Sequence, residues 1–189
     1  MAFYRRHLPH LHFVGHPVFV TFRLHGSLPP NKWSPQRDSA TFQAMDAALD
    51  RPEEGPLWLQ LPKIALIVVE AIDYNASRLN HFEMHAFAVM ANHVHLLLTP
   101  SVPLPKLMHS LKSITAQRAN QALERTGQPF WQAESFDHLI RNDAEFRRIT
   151  RYIHQNPVKA GLVSNPEDFP WSSASRSVGQ APSPPLEQD

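Results

Sequence analysis

The sequence contains no cysteine, and this absence narrows the chemistry that the chain can perform. Disulfide bonds, cysteine-ligated zinc fingers and thiol catalysis are all excluded. Long hydrophobic runs are also missing, because no apolar stretch reaches the ~18 residues that a membrane-spanning helix needs. The first ten residues lack the apolar core of a signal peptide. We therefore expect a cytoplasmic protein with no membrane partner.

Charge is also sparse, since charged residues make up 19% of the 189 residues and the net charge is +1. Its distribution is uneven, because residues 101–163 contain nine lysines and arginines against five acidic residues. A local excess of positive charge is a weak indication of a nucleic-acid partner. An ordinary solvated helical surface would produce the same excess, so charge alone does not decide the function.

The apolar pattern predicts an α+β domain over residues 1–173, with helices packed on a small central antiparallel sheet. We predict strands at 18–24, 81–90, 93–100 and 130–140, and helices at about 38–49, 57–80, 103–125 and 143–155. The apolar run at 64–69 alone would also suit a strand. Asp143 is the expected N-cap of the last helix, and Asn156-Pro157 its expected end. Residues 174–189 hold too few apolar side chains to pack, and we expect them to be disordered.

Two histidines, His93 and His95, flank a single valine at the start of the strand predicted at 93–100. Side chains two residues apart on a strand point to the same face, so both imidazoles can bind one divalent cation. The spacing by itself is weak, because 12 histidines in 189 residues give about one such pair by chance. His10 and His12 form a second pair, which we interpret as surface histidines.

The helix predicted at 143–155 supplies the supporting residues. Tyr152 and Asn156 stand four residues apart, so their side chains share one face. If this helix packs beside the strand of the histidines, two imidazoles and an amide oxygen could hold a metal ion next to a phenol. A phenol with a pKa near ~10 is a poor nucleophile at neutral pH unless a metal ion or a similar group activates it. A tyrosine that merely packs at the edge of the core is the structural alternative.

These motifs resemble a known family. MANHVHLLL (90–98) is similar to the HUH motif, histidine–hydrophobic–histidine, of single-tyrosine transposases. The similarity continues through SLKSITAQRAN (110–120), PFWQAESFDHLIRN (129–142), RYIHQNPVKAGLV (151–163) and DFPWSS (168–173), and with FVTFRLHGSLP near the start it covers roughly residues 12–173. The chain looks most like the REP-associated tyrosine transposases. Ala91 departs from the proline that usually opens the motif, which affects the turn and not the chemistry.

The resemblance implies a fold, a reaction and a set of roles. The fold would be the ferredoxin-like sandwich of the HUH endonucleases, and the enzyme would cleave and rejoin single-stranded DNA near hairpins with Mg²⁺ or Mn²⁺. His93, His95 and Asn156 would be metal ligands. Tyr152 would attack the scissile phosphate and form a 5′-phosphotyrosine with a free 3′-OH. Relatives include monomers and homodimers, and they differ in the third ligand.

DNA contacts are a further expectation. Lys112, Arg118, Arg148 and Arg151 are candidates for phosphate contacts, and Trp131 is a candidate platform for base stacking.

Two other functions remain open from the sequence. The first is a catalytically silent protein that binds DNA hairpins with the same fold. The second is a metallohydrolase with water as the nucleophile, although no carboxylate stands beside the histidines in the sequence and Glu83 is only a distant candidate base.

Overall fold

The computed structural model describes residues 2–5, 9–12, 14–28, 39–50 and 55–175, and the side chains within 14–28, 44–50 and 55–175. Its strands are β1 (Ala2–Arg5), β2 (Pro9–His12), β3 (Val18–Arg23), β4 (Phe82–Val89), β5 (His93–Pro100) and β6 (Phe136–Leu139). Its α-helices are α1 (Ser39–Asp50), α2 (Pro62–Ser77), α3 (Leu104–Ala122) and α4 (Asp143–Lys159). Short 3-10 helices lie at Trp58–Gln60, Pro166–Asp168 and Ser173–Ser175. None of the helices in these ranges is both long and apolar enough to cross a membrane.

Four strands form one antiparallel sheet in the order β4-β5-β3-β6. Strand β5 is therefore held on both sides, by β4 through one ladder and by β3 through the other. Thr21 of β3 and Ala88 of β4 both lie opposite His95. The expected α+β fold with a central antiparallel sheet is confirmed, and it places the two histidines in the interior of the sheet.

The two faces of the sheet are covered by different helices. On one face the side chains of Val94, Leu96 and Leu98 are buried, as the period of two along a strand requires. Helix α3 lies on this side, where the Lys112 ammonium sits 5.9 Å from the centre of the Phe22 ring, and α2 packs against α3. On the opposite face, α4 contacts β4 and β5. The histidines belong to this second face.

Helix α4 differs from the prediction at both ends. Asn142, and not Asp143, is the N-cap, and its side-chain oxygen accepts a hydrogen bond from the Glu145 backbone N–H at 2.9 Å. The predicted end at Asn156-Pro157 is wrong, because the helix continues to Lys159. Pro157 is tolerated there because the last turn closes around it: the Ala160 N–H donates to the Asn156 carbonyl at 2.9 Å, and the Leu162 N–H to the Pro157 carbonyl at 2.9 Å.

Other elements also refine the predictions. The apolar run at 64–69 lies within helix α2, which begins with Pro62 in its first turn. Within the segment predicted as a strand at 130–140, only residues 136–139 form a strand, and Trp131 makes an isolated bridge to Leu24.

The segment after α4 returns to the edge of the sheet. The Val89 N–H donates to the Trp171 carbonyl at 2.8 Å, and Ser172 forms a bridge with Ala88. Residues 176–189, most of the predicted disordered tail, lie outside the described residues. His10 and His12 lie on strand β2, which pairs with β1. The side chains of these two histidines are not among those that the structure describes.

We predict that Leu96→Ala lowers the free energy of unfolding by about 2–5 kcal/mol, because Leu96 is fully buried and truncation leaves a cavity. Leu162, which is 45% exposed, provides the control, and Leu162→Ala should change stability by less than about 0.5 kcal/mol. Denaturant unfolding of the three proteins measures both values. Equal losses in the two variants would contradict the assignment of β5 to the core.

Candidate active site

His93 and His95 project from β5 toward the same point. Both are buried, and their Nε2 atoms lie 3.0 Å apart. Their backbone is fixed by the ladders to β3 and β4 and by the buried run from Leu96 to Leu98 that follows. The structure therefore confirms that the two imidazoles share a face, and it adds that they are close enough to bind one ion.

The other ring nitrogens are held by neighbouring polar groups. Nδ1 of His93 lies 2.7 Å from Oδ1 of Asn92, whose amide nitrogen in turn donates to the Leu49 carbonyl at 3.1 Å. The Asn92 oxygen can only accept, so Nδ1 of His93 carries the proton and its Nε2 presents a lone pair. Nδ1 of His95 is hydrogen-bonded to the Thr21 hydroxyl at 2.8 Å. Such outer contacts fix the orientation of histidine ligands.

A carboxylate that the sequence analysis missed completes the cluster. Asp46 of α1 is buried, and its Oδ1 lies 3.2 Å from Nε2 of His95 and 3.9 Å from Nε2 of His93. Asp50, one turn later, brings its Oδ1 to 3.9 Å from Nε2 of His93. The ligand atoms of Asp46, His93 and His95 all lie within 4.8 Å of one another. The (i, i+4) pair of aspartates was visible on the predicted helix, but nothing local indicated where that helix packs.

Tyr152 reaches this cluster from α4. Its hydroxyl donates a hydrogen bond to Oδ2 of Asp46. Its ring is half-buried and packs edge-on against the ring of His95, with 5.6 Å between the ring centres, and against Phe19 at 6.1 Å. The phenol thus lies close enough to the histidines for a single phosphate group to contact both, as a reaction at this site requires.

Asn156 stands one helical turn after Tyr152 and is fully buried. Its amide nitrogen points at Oδ2 of Asp46, at 3.4 Å. Its carbonyl oxygen, Oδ1, is buried and has no hydrogen-bond partner among the described residues. A buried acceptor without a donor is costly in a folded protein, which makes this oxygen a candidate ligand.

The protonation states of the cluster are those that a bound cation would need. Burial, followed by the neighbouring His95, lowers the pKa of His93 to about 3, so this imidazole is neutral at physiological pH. Burial alone would raise the pKa of Asp46, but the charge and hydrogen bond of His95, together with His93 and Tyr152, lower it, and the carboxylate is ionised. Burial and the charge of Asp46 raise the pKa of the Tyr152 phenol, so the phenol is protonated.

Three of the four basic residues proposed for DNA contact have partners outside this cluster. Arg118 forms an ion pair with Glu70 at 2.7 Å, and Arg148 forms one with Glu145 at 3.1 Å. The Lys112 ammonium donates to the carbonyls of Gln132 and Ala133 at 3.0 and 3.2 Å. Arg151 is exposed on α4. Their contacts with DNA stay predictions.

Two further residues named from the sequence lie in other surroundings. Trp131 is in the core, where its indole N–H donates to the Thr115 hydroxyl at 2.8 Å, and this position does not favour base stacking. Glu83 lies on β4 beside His85, with 3.9 Å between Oε1 and Nδ1, and its side chain is 75% exposed. Asp46 and Asp50, and not Glu83, are the carboxylates next to the histidines.

In the metal-free protein we predict that stability falls as the pH drops from about 6.5 toward 3. His93 has a lowered pKa in the folded state, so protons bind the unfolded chain more strongly in this window and favour unfolding. His93→Gln removes this contribution, and its free energy of unfolding should fall less steeply, whereas the exposed His109→Gln should follow the wild-type curve. Urea unfolding between pH 3 and 8 in EDTA gives the curves. Parallel curves for His93→Gln and the wild type would contradict the buried neutral imidazole.

The chain is similar in sequence to known transposases. A family model described as "Transposase IS200 like" matches residues 64–156, the segment from α2 to Asn156. The REP-associated tyrosine transposase of Escherichia coli (strain K12) is 32% identical over 100 residues, covering 52% of this chain and 58% of that protein. A putative REP-associated tyrosine transposase of Haemophilus influenzae is 30% identical over 114 residues, covering 51% and 61%. The matches thus span about three fifths of the length of these curated relatives.

A solved structure provides the comparison of folds. The structure of the REP-associated tyrosine transposase bound to a REP hairpin superposes with a TM-score of 0.59 at 22% identity, covering 95% of this chain and 87% of that one. This similarity extends the agreement in fold beyond the segment matched by the family model. Sequence similarity to the IS200-like transposases is therefore established for residues 64–156.

Proposed function

We propose that this protein is a metal-dependent DNA strand transferase that cleaves and rejoins single-stranded DNA next to hairpins, with Tyr152 as the nucleophile. One observation carries the proposal: the Tyr152 hydroxyl is hydrogen-bonded to a carboxylate that also lies 3.2 Å from one histidine of a buried pair. A phenol, a carboxylate and two imidazoles from three separate elements meet at one point.

The substrate class is supported by the relatives. Two similar proteins are named REP-associated tyrosine transposases, and the solved structure with the same fold holds a REP hairpin. We infer that this chain also acts on hairpin-forming single-stranded DNA.

The residues present fit a divalent metal ion. Two Nε2 atoms 3.0 Å apart, Oδ1 of Asp46 and the unpartnered Oδ1 of Asn156 form a set of nitrogen and oxygen donors. Carboxylate and amide oxygens suit Mg²⁺ and Mn²⁺, and imidazole suits first-row transition metals, so Mn²⁺ fits the mixed set best and Mg²⁺ is the alternative. We propose His93, His95 and Asp46 as ligands and Asn156 as a fourth. When bound, the ion would polarise the phosphate and stabilise the charge of the transition state.

The two oxygens of Asp46 have separate tasks in this arrangement. Oδ1 faces the histidines, and Oδ2 accepts the hydrogen bond from Tyr152 and orients the phenol oxygen. As the Tyr152 oxygen bonds to phosphorus, its proton passes to Oδ2. The bond between phosphorus and the 3′-oxygen breaks, and the 3′-oxygen takes a proton from water. A 3′-OH can reverse these steps and rejoin the DNA without another energy source, because the phosphotyrosine linkage is itself a phosphodiester and conserves the energy of the bond that was broken.

A silent hairpin-binding protein is the second candidate, and the state of Tyr152 favours it. Burial and then the negative charge of Asp46 raise the pKa of the phenol, which opposes formation of the phenolate. Without a cation to offset that charge, the tyrosine would be inert. A hydrolase that uses water is distinguished from both candidates by turnover without a covalent adduct.

We predict a covalent protein–DNA adduct with a single-stranded hairpin oligonucleotide in the presence of Mn²⁺ or Mg²⁺. Tyr152→Phe should abolish the adduct, because the attacking oxygen is removed. Tyr74, which is 55% exposed on α2, provides the matched control, and Tyr74→Phe should retain it. Denaturing gel electrophoresis of labelled DNA is the measurement. An adduct that persists in Tyr152→Phe would exclude the assigned nucleophile, and binding without cleavage by the wild type would favour the silent protein.

The ligand set has its own test. Asp46→Asn should weaken Mn²⁺ binding by about 10- to 100-fold, because an anionic ligand is replaced by a neutral one. Asp143→Asn, an exposed position on α4, is the control and should leave the affinity unchanged. Isothermal titration calorimetry gives the affinities. If Asp46→Asn binds Mn²⁺ as tightly as the wild type, then Asp46 is not a ligand.

A further inference from the structure

We propose that Lys159 binds the phosphate that Tyr152 attacks and so serves as a second cation of the active site. The proposal rests on the function proposed above and adds a residue that neither the sequence motifs nor the comparisons assign. The ammonium group of Lys159 would contact the non-bridging phosphate oxygens directly, both in the substrate and in the phosphotyrosine.

The position of Lys159 carries the inference. Its Nζ lies 4.8 Å from the centre of the Tyr152 ring. The two residues are separated by two helical turns of α4, which places them on the same side of the helix. This alignment depends on the continuation of α4 through Pro157. Had the helix ended at Asn156, helical geometry would not hold Lys159 over the ring.

The charge of Lys159 is also available. It is exposed, and among the described residues its ammonium makes no ion pair or hydrogen bond, so the Tyr152 ring is its described contact. Three of the four cations proposed for DNA contact are engaged, since Arg118 and Arg148 pair with glutamates and Lys112 binds backbone carbonyls, while Arg151 is exposed on α4. A lysine in the last turn also suits the helix dipole, but this interaction leaves its donors unused.

The charges in the site require such a cation. Asp46 and Asp50 are both close to His93, and a phosphodiester adds a third negative charge beside them. A divalent ion, if bound, would offset two of these charges, and Lys159 would offset the third. A lysine suits the task, because its ammonium is a compact charge with three donors on a flexible stem that can move from the ring to a phosphate.

The first test is the rate of adduct formation in a single turnover, with saturating hairpin DNA and Mn²⁺. We expect Lys159→Met to lower the rate about 100-fold, because a cation aimed at the developing charge is lost. Lys159→Arg should recover most of the rate, since the charge is kept. Lys63→Met, on the exposed side of α2, is the control and should react like the wild type. A rate for Lys159→Met equal to that of Lys63→Met would overturn the proposal while leaving the proposed function intact.

The second test does not need catalysis. In the Tyr152→Phe background, the salt dependence of binding to the same DNA reports the number of phosphate contacts. Adding Lys159→Met should reduce the slope of log K against log salt by about 0.7, the value for one contact on a single strand. Adding Lys63→Met should leave the slope unchanged. If the wild type forms no adduct, the proposed function fails, and an unchanged slope for Lys159→Met then rejects the phosphate contact separately.

Discussion

The rest of the site depends on the contacts of one buried group, the carboxylate of Asp46. It lies 3.2 Å from His95, accepts a hydrogen bond from Tyr152 and faces the amide of Asn156. These partners come from β5 and α4, while Asp46 belongs to α1, so one ionised group connects three elements that are distant in the sequence. A buried charge is costly unless it is paired, and each of these partners reduces that cost. The same pairing orients the tyrosine and the histidines toward one another.

Much of this arrangement could be predicted from the sequence, because it follows from local periodicity. The period of two placed His93 and His95 on one face, and the helical period placed Tyr152 and Asn156 together. The family resemblance then indicated that the strand and the helix are neighbours. Asp46 could not be found in this way, because its contact with β5 spans nearly fifty residues of chain and leaves no local pattern. The end of α4 was mispredicted because proline is tolerated where the closing hydrogen bonds come from later residues.

Two of the cations proposed for DNA contact are already paired with acidic residues. Arg118 and Arg148 already have carboxylate partners, so their participation in DNA binding would require an exchange of those ion pairs. Exposed pairs of this kind contribute little to stability, so their exchange for phosphate contacts costs little. The candidate active site itself places two carboxylates, Asp46 and Asp50, beside the histidines. The proposed cleavage would therefore depend on a divalent ion and on the positive charge near Tyr152, rather than on a strongly basic surface.

The central claim is that His93, His95 and Asp46 hold one metal ion beside Tyr152. Pulsed electron paramagnetic resonance of the protein loaded with one equivalent of Mn²⁺ tests it directly, because coupling to imidazole nitrogens identifies histidine ligands. The account predicts coupling to two imidazole nitrogens, one of which is lost in His93→Gln and the other in His95→Gln. A Mn²⁺ spectrum without nitrogen coupling, or one that both substitutions leave unchanged, would contradict the account.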